Sequence, residues 1–134
     1  MLKNFKIINT IVPFIISYII LYAIYIQLNG EESPGGGFQA GVIFASSIIA
    51  YDLVSNRDGV FSANSLIICS TLGVGLYVGV GLISLFFDNN YLDYNSIADD
   101  NVKGQYIGIF LIELGVGLTV SSVMCLIYSL LRKD

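Results

Sequence analysis

Four long apolar segments, separated by short polar ones, make up most of this chain. They predict helices at about residues 7–28, 36–54, 65–87 and 105–131. About 20 helical residues cross a hydrocarbon core of about 30 Å, and the second segment, the shortest, reaches that length only if its helix begins near Gly35. The pattern therefore predicts an all-α integral membrane bundle of four transmembrane helices, forming one membrane domain over residues 1–134.

Charged residues fall between the apolar segments, and their sign differs between the two ends of the predicted bundle. The end that carries both termini has the basic residues Lys3, Lys6, Arg57, Arg132 and Lys133. The other end has Lys103 beside the acidic residues Glu31, Glu32, Asp88, Asp93, Asp99 and Asp100. Basic residues favour the cytoplasmic side, so we predict a multi-pass protein of the cell (inner) membrane with both termini in the cytoplasm.

One carboxylate, Glu113, lies well inside a predicted span. A charge near the bilayer centre costs at least about 2.5–3.5 kcal/mol, and such residues usually face protein or water along an ion or proton path. No Lys or Arg lies inside a predicted span, so a complete relay through Glu113 would need groups from other chains. Two interpretations stay open: Glu113 carries ions, or it only forms hydrogen bonds across an interface between subunits.

A glycine-rich motif connects the first two predicted helices. Glycine lets backbones approach closely, and irregular backbone at membrane depth is tolerated where protein surrounds it. Each glycine costs a helix about 1 kcal/mol relative to alanine, which indicates a neighbour packed tightly against residues 35–37. We predict a structural joint that seats helix 2 against a partner. Its residues are Pro34, Gly35, Gly36, Gly37, Phe38, Gln39, Ala40 and Gly41.

Small residues recur along the last two predicted helices, both of which contain the pentapeptide Leu-Gly-Val-Gly-Leu. Helices in lipid associate through close packing at such residues. On helix 3 they form two faces, one with Gly73 and one with the pair Gly75 and Gly79, and four short helices hardly cover both. Partner subunits are therefore expected. The predicted helix-packing residues are Gly73, Gly75, Gly79, Gly115 and Gly117.

Composition narrows the chemistry. The chain has no histidine, which excludes bis-histidine haem ligation and an imidazole proton relay. Cys69 and Cys125 are expected to be small buried residues. No segment remains for a soluble catalytic domain. We therefore expect no enzyme activity, no cofactor, no metal site and no nucleic-acid partner, with membrane lipid as the surroundings.

Two further polar features are expected to have no specific functional role. Asp52, near the inner end of helix 2, is expected to reach the membrane interface or Arg57. The acidic outer loop at residues 88–104, which contains Tyr91 and Tyr94, is expected to be merely solvated. The alternative for this loop is a surface that concentrates cations.

Residues 26–42, IQLNGEESPGGGFQAGV, strongly resemble the signature of the B subunit (the MnhB or MrpB type) of multisubunit Mrp-type sodium/proton antiporters. Residues 110–117, FLIELGVG, are similar to that family's last-helix motif, an acidic residue followed by Gly-Val. Asn29 stands where many relatives have a histidine, so a protonation role for that histidine does not transfer.

The resemblance implies a small membrane subunit of a multisubunit antiporter, with the other subunits as partners and sodium ions and protons as transported species. Glu113 would line or support the ion path. Three alternatives stay open: a purely structural assembly subunit, the equivalent subunit of a membrane-bound hydrogenase-like ion-pumping complex, and an autonomous small channel.

Overall fold

The computed structural model describes residues 6–30, 35–55, 61–86, 90–94 and 100–132. Its four helices are each long and apolar enough to cross a membrane, which confirms the prediction of an all-helical chain with four spans. The helices are α1 (Lys6–Leu28), α2 (Gly37–Ser55), α3 (Ala63–Phe86) and α4 (Asn101–Leu131).

Helix α4 begins earlier than its apolar pattern predicted. The expected start was residue 105, whereas the helix starts at Asn101. The carboxylate of Asp100 caps it by accepting a hydrogen bond from the backbone N–H of Val102 at 3.1 Å. Hydropathy marks only the part of a helix that suits lipid, and therefore it missed this polar first turn.

Helix α4 is the centre of the bundle. It packs on one side against α3 and on the other against α2, while α1 packs mainly on α2. Gly41 lies beside Gly117, and Asp52 pairs with Arg132 near the ends of the same two helices, so α2 and α4 run parallel. The seam between α2 and α4 therefore extends from one end of the bundle to the other.

Most large apolar side chains point away from the bundle. Phe14, Leu21 and Phe86 are among many that are exposed. A water-soluble chain rarely exposes an apolar surface of this extent, whereas lipid or neighbouring membrane subunits cover it at no cost. This outward apolar surface agrees with four membrane-spanning helices.

The interior is built from small residues. Ala45, Leu66 and Cys125 form a buried apolar cluster where α2, α3 and α4 meet. The expectation for Cys125 is confirmed, since it is buried, whereas Cys69 is only half-buried. Near the middle of α3 and α4, a Cβ on Gly73 would lie 2.6 Å from the carbonyl oxygen of Gly115. Small residues thus let these backbones touch directly.

The described part of the outer loop, residues 90–94, packs onto the helices. The ring of Tyr91 covers Gly81 on α3, and the ring of Tyr94 covers Gly108 on α4. Burial, followed by the neighbouring phenols of Tyr77 and Tyr91, raises the pKa of Tyr94. The expectation of a merely solvated loop is therefore wrong for these residues, because two glycines provide seats for its aromatic rings.

Candidate functional site

The glycine motif and Glu113 lie against each other. Helix α2 begins at Gly37, where it meets the backbone of α4 so closely that a Cβ would overlap the carbonyl oxygen of Glu113. The same Cβ would lie 2.8 Å from the carbonyl carbon of Glu113. Only a residue without a side chain permits this contact. The neighbour that touches residues 35–37 is thus, at Gly37, α4 of the same chain.

The Glu113 side chain lies between two further glycines. A Cβ on Gly30 would be 2.5 Å from Oε2 and 3.0 Å from Oε1 of Glu113. A Cβ on Gly36 would be 3.4 Å from Oε1. Gly30, just after the end of α1, and Gly36, just before α2, therefore both lie close to the carboxylate. Glu113 follows Asn101 by twelve residues, which places it about 18 Å along α4.

An open recess of about 380 Å³ adjoins the carboxylate. Glu113 itself is half-buried, so its side chain is accessible from this space. The recess has room for several waters or for a partly hydrated cation. Its lining residues are Gly35, Gly36, Gly37, Phe38, Gln39, Ile112, Glu113 and Val116.

The start of α2 makes the recess favourable for a negative charge. The first intrahelical bond of α2 runs from Ala40 N–H to Gly36 C=O, so the preceding N–H groups have no partner inside the helix. A helix N-terminus carries about half a positive elementary charge. The Glu113 carboxylate lies beside this end of α2, whose partial positive charge attracts a negative group.

Gln27, which the sequence analysis did not single out, extends the polar region towards the membrane centre. Its side-chain oxygen packs directly on Gly117, one turn after Glu113. Its Nε2 atom is buried and has no hydrogen-bond partner among the described residues. Gln27 and Ser121 border a second open cavity of about 190 Å³ between α1, α2 and α4. The available signal in the sequence was a polar residue in the last turn of α1, after nine residues without Asn, Gln, Ser, Thr or a charge.

Some of the remaining motif residues pack against α4, and others are exposed at the recess. Ala40 and Gly41 are buried in the seam, and a Cβ on Gly41 would lie 2.7 Å from the carbonyl oxygen of Gly117. Phe38 and Gln39 are exposed and line the recess. Pro34 lies outside the described residues. The motif therefore joins α2 to α4 through its small residues and presents its larger ones to the recess.

The predicted helix-packing glycines occupy two different surroundings. Gly73 and Gly115 pack on each other, and Gly117 packs on Gln27 and Gly37. Apart from the adjoining backbone of α3 itself, a Cβ on Gly75 or on Gly79 would meet none of the described residues within 4 Å. The two identical pentapeptides thus have different surroundings. Their second glycine is covered by neighbouring residues in α4, where it is Gly117, and uncovered in α3, where it is Gly75.

Asp52 corrects a prediction. It was expected to reach the membrane interface or Arg57, but it is 2% exposed and its Oδ2 pairs with the guanidinium of Arg132. Arg57 lies outside the described residues. Because α2 and α4 are parallel and end at the same side of the bundle, the residue after α4 reaches the last turn of α2. A contact between residues this far apart in sequence has no local signal.

No metal centre emerges from the part of the chain that the structure describes. Within it, no group of three or more His, Cys, Asp or Glu side chains is placed to hold a metal ion.

Comparison with known proteins gives a consistent result over nearly the whole chain. A family described as "Domain related to MnhB subunit of Na+/H+ antiporter" matches residues 7–126. The B subunit of a Na(+)/H(+) antiporter from Bacillus subtilis (strain 168) is 28% identical, and the match covers 87% of this chain and 90% of that protein. The "Putative antiporter subunit mnhB2" of Staphylococcus aureus (strain Newman) is 26% identical, with 92% of each chain covered.

Proposed function

The chain belongs to the family of domains related to the MnhB subunit of Na+/H+ antiporters, and from this premise we propose that it is the B-type membrane subunit of a multisubunit sodium/proton antiporter. The observation that carries the proposal is the family match over residues 7–126, which includes the glycine motif and Glu113. The four apolar helices give it a place in the cell membrane as a multi-pass subunit.

The proposed orientation has both termini in the cytoplasm. It is supported by the basic residues at the end of the bundle that carries the termini, together with the acidic residues at the other end. In this orientation the recess beside Glu113 opens towards the outer half of the membrane. Asp52 and Arg132 then lie at the cytoplasmic end.

Within the antiporter, Glu113 lines or supports the cation path. Two observations support this role: the carboxylate adjoins an open recess, and it lies beside the N-terminus of α2. Ionisable residues inside membrane spans usually face protein or water and mark ion or proton pathways. The neighbouring subunits would supply the remaining groups of a relay.

The glycine motif acts as the joint that holds this site. It fixes the start of α2 against the backbone of Glu113. The carboxylate, the N-terminus of α2 and the recess therefore keep their positions relative to one another. Two alternatives keep the same fold: a purely structural assembly subunit, and the equivalent subunit of a hydrogenase-like ion-pumping complex. Both alternatives are compatible with the same close packing of α2 against α4. A measurement of sodium/proton transport is therefore needed to distinguish them from the proposal.

Deletion and complementation test the function. Three preparations of everted membrane vesicles are compared, all from cells that lack other sodium/proton antiporters. The first contains every subunit of the antiporter, the second lacks this chain, and the third has this chain restored from a plasmid. We expect sodium-dependent proton flux in the first and third preparations and none in the second. Full flux without the chain would contradict the proposal, and so would purification of the chain with hydrogenase subunits instead of antiporter subunits.

The open face of α3 leads to a prediction about assembly. No other helix of the described structure covers Gly75 or Gly79, and α1 exposes many large apolar side chains. We expect the chain expressed alone to be degraded or to aggregate in detergent, and to purify in a large complex when its partners are co-expressed. Size-exclusion chromatography of both preparations measures this. A stable, monodisperse monomer would contradict it.

A further inference from the structure

The outward side of α1 carries a stripe of aromatic residues, which we call the tyrosine face. Helical spacing places its members along one side of the helix: Phe14, Tyr18, Tyr22 and Tyr25. Their side chains are 64%, 58%, 56% and 56% exposed, respectively. Ile16 and Ala23 are buried on the opposite side of α1, which packs mainly on α2. The tyrosine face therefore points away from the other described helices.

The three tyrosines are almost equally exposed but lie at different depths in the membrane. Helix α1 runs from Lys6 to Leu28, so Tyr18 lies about 18 Å from its start and about 15 Å from its end. Because the hydrocarbon core is about 30 Å thick, Tyr18 is near its middle, and Tyr22 lies one turn further along. Tyr25 is only about 4.5 Å from the end of α1, close to the interface where tyrosine is usually enriched.

A phenol hydroxyl at mid-membrane depth needs a hydrogen-bond partner. The hydroxyls of Tyr18 and Tyr22 form no hydrogen bond with the described residues of this chain. Lipid tails offer neither donors nor acceptors, so an unpaired hydroxyl among them is unfavourable. Side chains of a helix lean towards its N-terminus, which for Tyr22 is the direction of the membrane centre. Lipid therefore does not satisfy these two phenols, whereas a neighbouring protein with polar groups at the same depth would.

The shape of the tyrosine face limits which protein can cover it. The rings of Phe14 and Tyr18 pack edge to face, with centroids 5.0 Å apart and planes at 70°, so they form a bulky ridge. Helices in lipid approach closely where small residues meet. A second copy of this chain that used the same face would bring a second bulky ridge, which would keep the two helices apart. The complementary surface is a helix of a different chain with small residues opposite the rings.

We propose that the tyrosine face is the docking surface for a transmembrane helix of another antiporter subunit. That helix has small residues opposite the rings and hydrogen-bond acceptors, such as hydroxyl, amide or carboxylate oxygens, near the middle of the membrane. The inference rests on the proposed antiporter function and adds the surface through which this chain binds a partner. Tyr18 and Tyr22 donate hydrogen bonds to the partner and so fix its depth, while Tyr25 contributes its ring and keeps its hydroxyl at the interface.

Photo-crosslinking in the complete complex identifies what covers the tyrosine face. Tyr22→p-azidophenylalanine keeps an aromatic ring of similar size and adds a group that reacts with its neighbour on irradiation. The tagged chain is then purified under denaturing conditions, and its adducts are identified by mass spectrometry. We expect an adduct with a transmembrane peptide of another antiporter subunit. An adduct with a second copy of this chain, or with lipid alone, would overturn the proposal.

The double substitution Tyr18→Phe with Tyr22→Phe tests the hydrogen bonds themselves. Both rings remain, and both side chains are exposed in this chain, so its own packing should not change. We expect the amount of other subunits that stay with the tagged chain in detergent to fall about tenfold, as for the loss of two hydrogen bonds between helices. Tyr25→Phe is the matched control, equally exposed but near the interface, and should retain the wild-type amount. Equal retention in the double variant and this control would overturn the proposal.

Proton flux in everted vesicles separates failure of this inference from failure of the proposed function. If wild-type vesicles show sodium-dependent proton flux and Tyr22→p-azidophenylalanine reacts only with lipid, the docking surface alone is overturned. If wild-type vesicles show no such flux and the adduct contains a subunit of a hydrogenase-like complex, the antiporter assignment fails. The identity proposed for the partner then fails with it. Normal flux together with an adduct to an antiporter subunit supports both.

Discussion

Gly37→Ala is expected to abolish most of the assembled complex. The added methyl would overlap the carbonyl oxygen of Glu113, which belongs to a helix backbone and not to a flexible side chain. Relief requires the start of α2 to move away from the backbone of α4 at this contact. Overpacking in a closed contact costs about 1–3 kcal/mol and more when backbone has to move, which is a large part of the stability of a small domain. Blue-native electrophoresis of detergent-extracted membranes would measure the remaining complex.

Gly75→Ala is the matched control for this prediction. It adds the same methyl in the middle of α3, where the described parts of the other helices lie more than 4 Å from the new position. We expect this variant to assemble at near wild-type amount, because a methyl fills open space and alanine favours a helix more than glycine does. If Gly37→Ala assembled as well as Gly75→Ala, the close contact between α2 and α4 would not exist as described.

The spans were predictable from sequence because lipid imposes a simple rule. A helix that crosses the hydrocarbon core must be long and apolar, and four such segments are visible by inspection. The start of α4 was not visible to that rule, because Asp100 caps a polar turn outside the apolar stretch. Local cap chemistry, and not hydropathy, sets that boundary.

The composition of the site was predictable, but its assembly was not. Three glycines at the predicted start of a helix indicate a close neighbour, although only Gly37 lies within α2, and a lone carboxylate in a span indicates a functional or interfacial role. Nothing local indicates that the two features meet, since Gly37 and Glu113 are separated by two helices in sequence. Their contact depends on the parallel packing of α2 and α4.

The pairing of Asp52 shows the same limit. The prediction from sequence was that Asp52 reaches the membrane interface or Arg57, the nearest basic residue along the chain. The structure pairs Asp52 with Arg132 because α2 and α4 end at the same side of the bundle. Gln27 was missed for a related reason: its importance comes from contact with Gly117 on another helix.

Glu113→Gln is expected to remove antiport while leaving assembly intact. Glutamine has nearly the same shape and keeps an acceptor oxygen, but it does not titrate and carries no charge. The backbone contact with Gly37 does not involve the side chain, so the seam should still close. A positioned group that transfers a proton commonly contributes a factor of about 10²–10⁴, and we expect the flux to fall by at least about tenfold.

Glu113→Asp provides the graded comparison. The charge remains on a shorter stem, which moves the carboxylate away from Gly30 and Gly36 but leaves it next to the recess. We expect partial antiport, between wild type and Glu113→Gln, at normal assembly. Activity of Glu113→Asp as low as that of Glu113→Gln would mean that the position of the carboxylate matters as much as its charge.

The most direct test of the ion-path role is sodium-dependent proton flux in everted vesicles, divided by the amount of assembled complex in the same membranes, for wild type and Glu113→Gln. The account predicts normal assembly and a flux per complex reduced at least about tenfold in Glu113→Gln. A flux per complex equal to wild type would contradict the role of Glu113 in the ion path and leave this chain as a structural subunit.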